Sequence, residues 1–224
     1  MNPNTIFQFG PFGITRTVVT TWGLLLVLAA LAWLATRRLA LRPSGMQAAV
    51  EGIVEVIDNS VRALLPDPPQ GLVPLIGTLW IFIITANLVG VIPGLSSPTD
   101  DLSLTAGLAL LVFLSVHWFG IRRGGVGRYL HQYLEPNPML VPFHIVSEMS
   151  RTVTLAVRLF GNIMSLEIAA ALVLLVAGLL IPVPILMLHI VEALVQAYIF
   201  GMLALVYISG GIQSHSSSGK GEQP

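Results

Sequence analysis

The segment RLFGNIMSLEIAAALVLLVAGLLIPVPILMLHIVEALVQAYIF, residues 158–200, decides the fold of this chain. Most of it is apolar enough to lie in a lipid bilayer, yet it opens with an arginine, Arg158, and a glutamate, Glu167. The prolines of IPVP (181–184) interrupt it, because proline lacks an amide donor and restricts the residue before it. The segment predicts two membrane helices joined by a tight turn, with charged side chains placed inside the membrane.

The composition predicts an integral membrane protein. Hydrophobic residues make up 54% of the 224 residues and charged residues only 10%, against about a quarter charged in soluble domains. Eleven basic and eleven acidic residues cancel, so net charge gives no reason to expect a nucleic-acid partner. The absence of cysteine excludes disulfides, thiol catalysis and thiolate metal sites.

Hydropathy predicts an all-α, polytopic membrane protein with five membrane helices and one interfacial helix, in a single domain (1–224). The membrane helices are predicted at 17–36, 72–93, 102–121, 139–180 and 184–209, and a polar tail at 210–224. The first apolar run reads as a retained span rather than a cleaved signal. Residues 44–65 form an amphipathic helix with acids and Arg62 on one face and aliphatic residues on the other, which is typical of an interfacial helix.

The distribution of lysine and arginine predicts the orientation. Basic residues concentrate in segments 37–70 and 122–138, whereas the alternate loops, 94–101 and 181–184, carry none. The positive-inside rule then places the N-terminus outside and the C-terminus in the cytoplasm.

The helix at 139–180 is too long for an upright span. Its 42 residues would measure about 63 Å, roughly twice the ~30 Å hydrocarbon core. It must either break near Gly161 or lie steeply tilted, and a steep tilt requires a large neighbour to pack against.

Helical spacing sorts the polar residues of the last two helices into stripes. Glu167 lies half a turn away from the first stripe and faces a different neighbour. Arg158 has no acid three or four residues away, so a partner from elsewhere is expected, whereas Arg151 either pairs with Glu148 or extends to the interface. The first stripe holds His144, Glu148, Arg151, Arg158, Asn162 and Ser165, and the second holds His189, Glu192 and Gln196.

Three stretches resemble subunit a of the F-type ATP synthases, the membrane stator beside a rotating c-ring. They are SRTVTLAVRLFGN (150–162), QAYIFGMLALVYI (196–208) and PLIGTLWIFIITANLVGVIPG (74–94). The resemblance implies a noncatalytic, cofactor-free, ion-translocating subunit in a bacterial inner membrane. It also implies partnership with the c-ring, the peripheral-stalk b subunits and other synthase subunits.

The resemblance assigns roles to individual residues. Arg158 matches the family's essential arginine, Gln196 its partner glutamine, and Asn162 the asparagine just beyond the arginine. Glu167 and His189 match the outside-facing half-channel. The chain departs from many members at Thr152, where they have proline, and at Gly90, where some have an acid.

Further assignments combine the half-channels that the resemblance implies with the types and positions of individual residues. Glu192 is predicted to join the outside half-channel, although His189 could simply hydrogen-bond to Glu192 as a packing pair. His117 and His131 are interpreted as interfacial anchors, and Asn87 as either a packing hydrogen bond or a channel wall. The inside half-channel is predicted from four residues, His144, Ser147, Glu148 and Arg151.

Other classes of protein fit less well. HExxH and G-x-S-x-G are absent, and the single His-x-x-Glu is reversed relative to a di-iron pair. A stand-alone secondary ion transporter is the main alternative, but it would normally contain an internal repeat. The transported ion, proton or sodium, is left open, since its ligands are expected mainly on the c subunit.

Overall fold

The computed structural model describes residues 5–9, 12–37, 45–92, 97–125, 127, 139, 141–177 and 183–217. Two antiparallel strands, β1 (Thr5–Phe9) and β2 (Phe12–Thr15), precede the helices. The helices are α1 (Arg16–Thr36), α2 (Gly45–Leu64), α3 (Leu72–Val89), α4 (Leu102–Gly124), α5 (Val141–Ala177) and α6 (Val183–Ser217). A 3-10 turn, Pro98–Asp100, lies between α3 and α4.

The α-helical membrane architecture is confirmed. Within the described ranges, five helices (all but α2) are long and apolar enough to cross a membrane. The hairpin β1–β2 is an addition that hydropathy did not predict. Helix α5 runs through Gly161 without a break, which eliminates one of the two alternatives. Its 37 residues measure about 55 Å at 1.5 Å per residue.

Helix α6 is longer than the predicted 184–209 and continues to Ser217, into the predicted polar tail. Ile212 is buried, and a Cβ at Gly211 would lie 3.0 Å from a methyl of Val116 on α4. Packing against α4 therefore extends past Gly210 and Gly211, beyond the predicted end at residue 209.

The core lies where α3, α4, α5 and α6 meet. Each contributes aliphatic or small residues that are almost fully buried, such as Ile83, Val112, Leu159 and Ala204. The close approach of α3 and α6 depends on Gly201, because a Cβ there would overlap the indole of Trp80.

Helix α2 is amphipathic, as predicted. Ile57 and Val61 are buried, and the Ile57 side chain lies 3.5 Å from the position of a Cβ on Gly77 of α3. Its polar face carries an Arg62–Asp58 ion pair of 2.7 Å. Ile53 and Val54, nearer its start, are about half exposed, so only the second half of the apolar face packs on the bundle.

The bundle has two ends that differ chemically. The "turn end" contains the Pro98–Asp100 turn, where α3 ends and α4 begins. The "basic end" contains Arg122 and Arg123 in the last turn of α4, with the Arg123 guanidinium 3.4 Å from the Asp67 carbonyl. Helices α5 and α6 run antiparallel between these ends.

Candidate functional site

Arg158 lies near the middle of α5 and is exposed. Within the described part of the chain it makes no hydrogen bond or ion pair. Its neighbour Val157 is 53% accessible, and Thr154, one helical turn before Arg158, is also exposed. A guanidinium is costly in hydrocarbon unless it is paired, so this face requires a partner outside the chain.

Asn162 and Gln196 join α5 to α6. The Asn162 side-chain amide donates to the Gln196 carbonyl oxygen at 2.7 Å. Gln196 is only 2% exposed, and its Nε2 has no hydrogen-bond partner among the described residues. The two predicted residues thus come together, and the side-chain hydrogen bond of Gln196 in the described structure is with Asn162 and not with Arg158.

A buried polar network fixes the turn end. The Ser97 hydroxyl donates to the Ala86 carbonyl at 2.9 Å, and the Thr99 hydroxyl donates to Asn87 Oδ1 at 2.7 Å. The Asn87 amide in turn reaches the Ala193 carbonyl of α6 at 3.5 Å. Asn87, Ser97 and Thr99 are fully buried, so Asn87 serves as a packing hydrogen bond between α3, the turn and α6.

Glu167 reaches this network from α5. The Ser97 amide donates to Glu167 Oε1 at 3.2 Å. A Cβ at Gly90 would lie 3.2 Å from the same oxygen and 2.9 Å from Ser97 Cβ, so glycine is what leaves room for the carboxylate. The prediction that Glu167 faces a different neighbour from the Arg158 stripe is consistent with this contact.

Asp100 is a site residue that the sequence analysis missed. Burial, followed by the charge of Glu167 and a hydrogen bond to it, raises the pKa of Asp100 to about 7. Two carboxyl groups can share a hydrogen bond only if one carries a proton. The available signal was the adjacent acids Asp100 and Asp101, of which helix capping accounts for only one.

Asp101 is that cap. Its carboxylate accepts from the Ser103 amide at 2.9 Å and from the Ser103 hydroxyl at 2.6 Å. Burial acts to raise the pKa of Asp101, but these hydrogen bonds stabilise the charged form and the net pKa is lowered. The pKa values of Asp100 and Asp101 are therefore shifted in opposite directions.

This contrast gives a first prediction. The infrared signal of protonated carboxyl groups, taken as wild type minus Asp100→Asn, should titrate with a midpoint near pH 7. The protonated form dominates below that pH and disappears as the pH rises through it. Asp101→Asn, which retains a capping side chain, serves as the matched control and should show no midpoint near neutrality. A midpoint near 4 for the Asp100 difference would contradict the assignment.

His189 lies at the turn end of α6 and is 2% exposed. Its Nε2 has no hydrogen-bond partner among the described residues, so the structure does not show that nitrogen paired with Glu192. Glu192 is partly buried, one helical turn away. Buried polar atoms without partners are rare in proteins, and each calls for a functional or structural explanation.

A second polar cluster lies at the basic end. Glu148 of α5 lies 4.0 Å from His117 Nε2 of α4, and the Arg151 guanidinium stacks 5.5 Å from the Tyr207 ring centroid of α6. The His117 side chain thus reaches toward α5, and its interpretation as an interfacial anchor stays a prediction. His144 and Ser147 are exposed beside this cluster; His131 lies outside the described residues.

A small cavity of about 30 Å³ opens between α4, α5 and α6 at this cluster. Its polar lining comes from Glu148, Arg151, Thr152 and Tyr207. That volume is enough for one water molecule.

The spacing along α5 relates the two clusters to Arg158. Glu148 precedes Arg158 by ten residues and Glu167 follows it by nine, so each carboxylate lies about 14–15 Å along the helix axis from the arginine. Among the described residues, no three His, Asp or Glu side chains converge as metal ligands. The fold and site define a polytopic α-helical membrane protein with a polar cluster at each end and an exposed arginine midway.

Comparison with known proteins identifies the family. The profile described as ATP synthase A chain matches residues 18–209. ATP synthase subunit a 2 of Pelobacter propionicus is 60% identical over 209 residues, covering 93% of this chain and 92% of that protein. ATP synthase subunit a 1 of Hahella chejuensis is 59% identical over 211 residues (94% and 90%), and ATP synthase subunit a of Legionella pneumophila strain Corby 54% over 217 (96% and 94%). The chain therefore belongs to the ATP synthase A chain family.

Proposed function

We propose that this chain is the ion-translocating stator subunit of an F-type ATP synthase, with one half-channel at each end of the α5–α6 pair. The observation that carries the proposal is the position of Arg158, exposed and midway between two polar clusters. Ions would enter through one cluster and leave through the other, and Arg158 would separate them. The chain itself would perform no ATP chemistry.

The partner expected opposite Arg158 is a membrane carboxylate on each subunit of a c-ring. With its ion bound, such a carboxylate is neutral and can face lipid, whereas the bare carboxylate is a costly charge there. Arg158 would stabilise the bare form while the carboxylate exchanges its ion. The ring would then have to turn for the ion to reach the second half-channel.

Arginine suits this position for two reasons. Its guanidinium does not lose its proton in proteins, so it cannot pass a proton directly between the half-channels. Its positive charge also repels an ion that remains bound. Each elementary charge that crosses 100 mV releases about 2.3 kcal/mol, so several crossings are needed for each ATP.

The outside half-channel would use the turn end. Glu167 connects to the buried network through Ser97, and Asp100, His189 and Glu192 supply further titratable groups. The inside half-channel would use the basic end, with His144, Ser147, Glu148 and Arg151. This direction follows the positive-inside rule, with the N-terminus outside, in a bacterial inner membrane.

The exposed face of α5 is proposed to lie along the c-ring, and other faces to meet the b subunits, other synthase subunits and lipid. The length of α5, about 55 Å, fits a tilted helix better than an upright one. A stand-alone secondary transporter is a weaker proposal, because Arg158 has no ion-pair partner among the described residues of this chain.

Cross-linking tests the ring contact. Thr154 and Ser165 are exposed and share the helical face of Arg158, being four residues before it and seven after. Cysteine at either position should form a disulfide with a cysteine placed beside the ring carboxylate. Leu155, 3% exposed, and Ile163, fully buried, are matched controls whose side chains pack inside the bundle, and they should not react. Equal yields from the exposed and the buried positions would argue against the proposed ring contact.

A further inference from the structure

We propose that His117 and Glu148 form a one-proton relay at the α4–α5 contact, and that this relay makes the inside half-channel specific for protons. The inference rests on the proposed function and adds to it a residue from α4 and the identity of the ion. Its basis is the geometry of the imidazole, whose two nitrogens have different partners.

One imidazole nitrogen is fixed by the helix. His117 Nδ1 lies 2.9 Å from the Phe113 carbonyl oxygen. A carbonyl oxygen can only accept, so Nδ1 must carry its proton. The ring also packs on the Phe113 ring, with centroids 4.3 Å apart, which holds its orientation. Protonation changes at this histidine are thereby confined to Nε2.

The other nitrogen faces a carboxylate. Nε2 lies 4.0 Å from Glu148 Oε1. This distance is too long for a direct hydrogen bond. With a neutral imidazole and an ionised Glu148, two acceptors face each other, and the pair can take up one proton that passes between them through a bridging water. That proton sits either on Nε2, giving imidazolium beside carboxylate, or on the Glu148 oxygen. Release breaks that N–H or O–H bond and passes the proton to water.

The pair is partly exposed at the surface and also borders a cavity. The His117 side chain is 29% exposed and that of Glu148 is 24% exposed. Glu148 also lines the water-sized cavity shared with Arg151 and Tyr207. A proton can therefore reach Glu148 from the cavity and leave from His117 at the surface of the basic end.

The chemistry of the pair selects protons. Sodium is a hard cation that prefers several oxygen ligands, whereas an imidazole nitrogen beside one carboxylate offers a good proton acceptor and a poor sodium site. Arg151 and Tyr207 line the cavity together with Glu148. On the same helices as the pair, Arg122 and Arg123 follow His117 by five and six residues, and His144 precedes Glu148 by four.

The test uses the complete synthase in vesicles, with the pH varied separately on each side and the total driving force held constant by the membrane potential. In the wild type, ATP synthesis should quicken as the inside pH rises, because the His117–Glu148 pair must release its proton on that side. His117→Gln keeps an amide near the Nε2 position but cannot titrate. The His117→Gln variant should therefore lose the dependence on inside pH, and its rate of ATP synthesis should fall about three- to tenfold. This loss is smaller than the roughly 10²–10⁴-fold contribution of a general acid–base catalyst, because water can partly replace a relay.

Further variants separate a relay from a structural role. Glu148→Gln should give the same loss, and the double variant should be no worse than either single one, since both remove one unit. Ser115→Ala, on the same helix, should keep the wild-type inside-pH profile, and no variant should alter the outside-pH profile or create sodium dependence. A wild-type inside-pH profile in His117→Gln, or an altered outside profile instead, overturns the relay.

The relay and the proposed function fail in different ways. Arg158→Ala is measured in the same vesicles. If Arg158→Ala is inactive while His117→Gln behaves as wild type, the relay alone is wrong. If Arg158→Ala pumps normally, the proposed function itself is wrong.

Discussion

ATP-driven ion pumping should fall by about two orders of magnitude in Arg158→Ala, because in the proposed mechanism a ring carboxylate without a counter-charge costs about 2.5–3.5 kcal/mol and each 1.36 kcal/mol is tenfold. Passive ion leak should persist or rise, since the proposed barrier between the half-channels is removed. Pumping and leak are measured side by side in inverted vesicles, with ATP hydrolysis by the soluble head as a check on assembly.

Two further variants sharpen this test. Arg158→Lys keeps a charge but offers a single-point donor whose pKa shifts readily on burial, so it should also fail to pump. Arg62→Ala removes an arginine from an exposed i,i+4 pair with Asp58, and such pairs contribute little; it should pump as wild type. Near-normal pumping in Arg158→Ala would exclude the arginine as the barrier.

The second large effect is expected from Gly201→Ala. The added methyl would overlap the Trp80 indole, which is 7% exposed and stacks on Tyr198 with centroids 5.6 Å apart. Helices α3 and α6 would have to separate, at a cost of about 3 kcal/mol or more given typical overpacking penalties. The amount of assembled subunit in the membrane should fall at least about tenfold, as read from immunoblots of purified complex.

Gly210→Ala provides the matched control, since a Cβ there meets nothing within 4 Å. It should assemble normally. Trp80→Leu should partly rescue Gly201→Ala in the double variant, because it removes the ring that the methyl meets. Normal assembly of Gly201→Ala alone would show that the α3–α6 contact tolerates more room than the described packing indicates.

Much of the fold followed from local sequence patterns. A bilayer demands long apolar helices that satisfy their own backbone hydrogen bonds, so hydropathy alone located all five membrane helices. The C-terminal end of α6 was predicted too early. Local sequence does not show that Ile212 is buried against the bundle, which is where the helix continues past Gly210 and Gly211. The strands β1 and β2 carried no hydropathy signal.

Some residues of the candidate site could likewise be found from the sequence, whereas their contacts could not. Arg158, Asn162, Gln196 and Glu167 were found because polar residues stand out within apolar helices, and helical spacing shows which of them share a face. The Asn162–Gln196 hydrogen bond joins two of these across 34 positions of sequence. Spacing within one helix cannot reveal such a contact.

By itself, then, the sequence determined the membrane class, the number of spanning helices and the polar stripes of α5 and α6, because each depends on residues close together in the chain. Only the tertiary structure decided that Asp100 meets Glu167 and that His117 faces Glu148. These contacts depend on how α4 and the Pro98–Asp100 turn pack against α5. The protonation of a carboxyl or imidazole group is set by such neighbours and by burial, which helical periodicity does not encode.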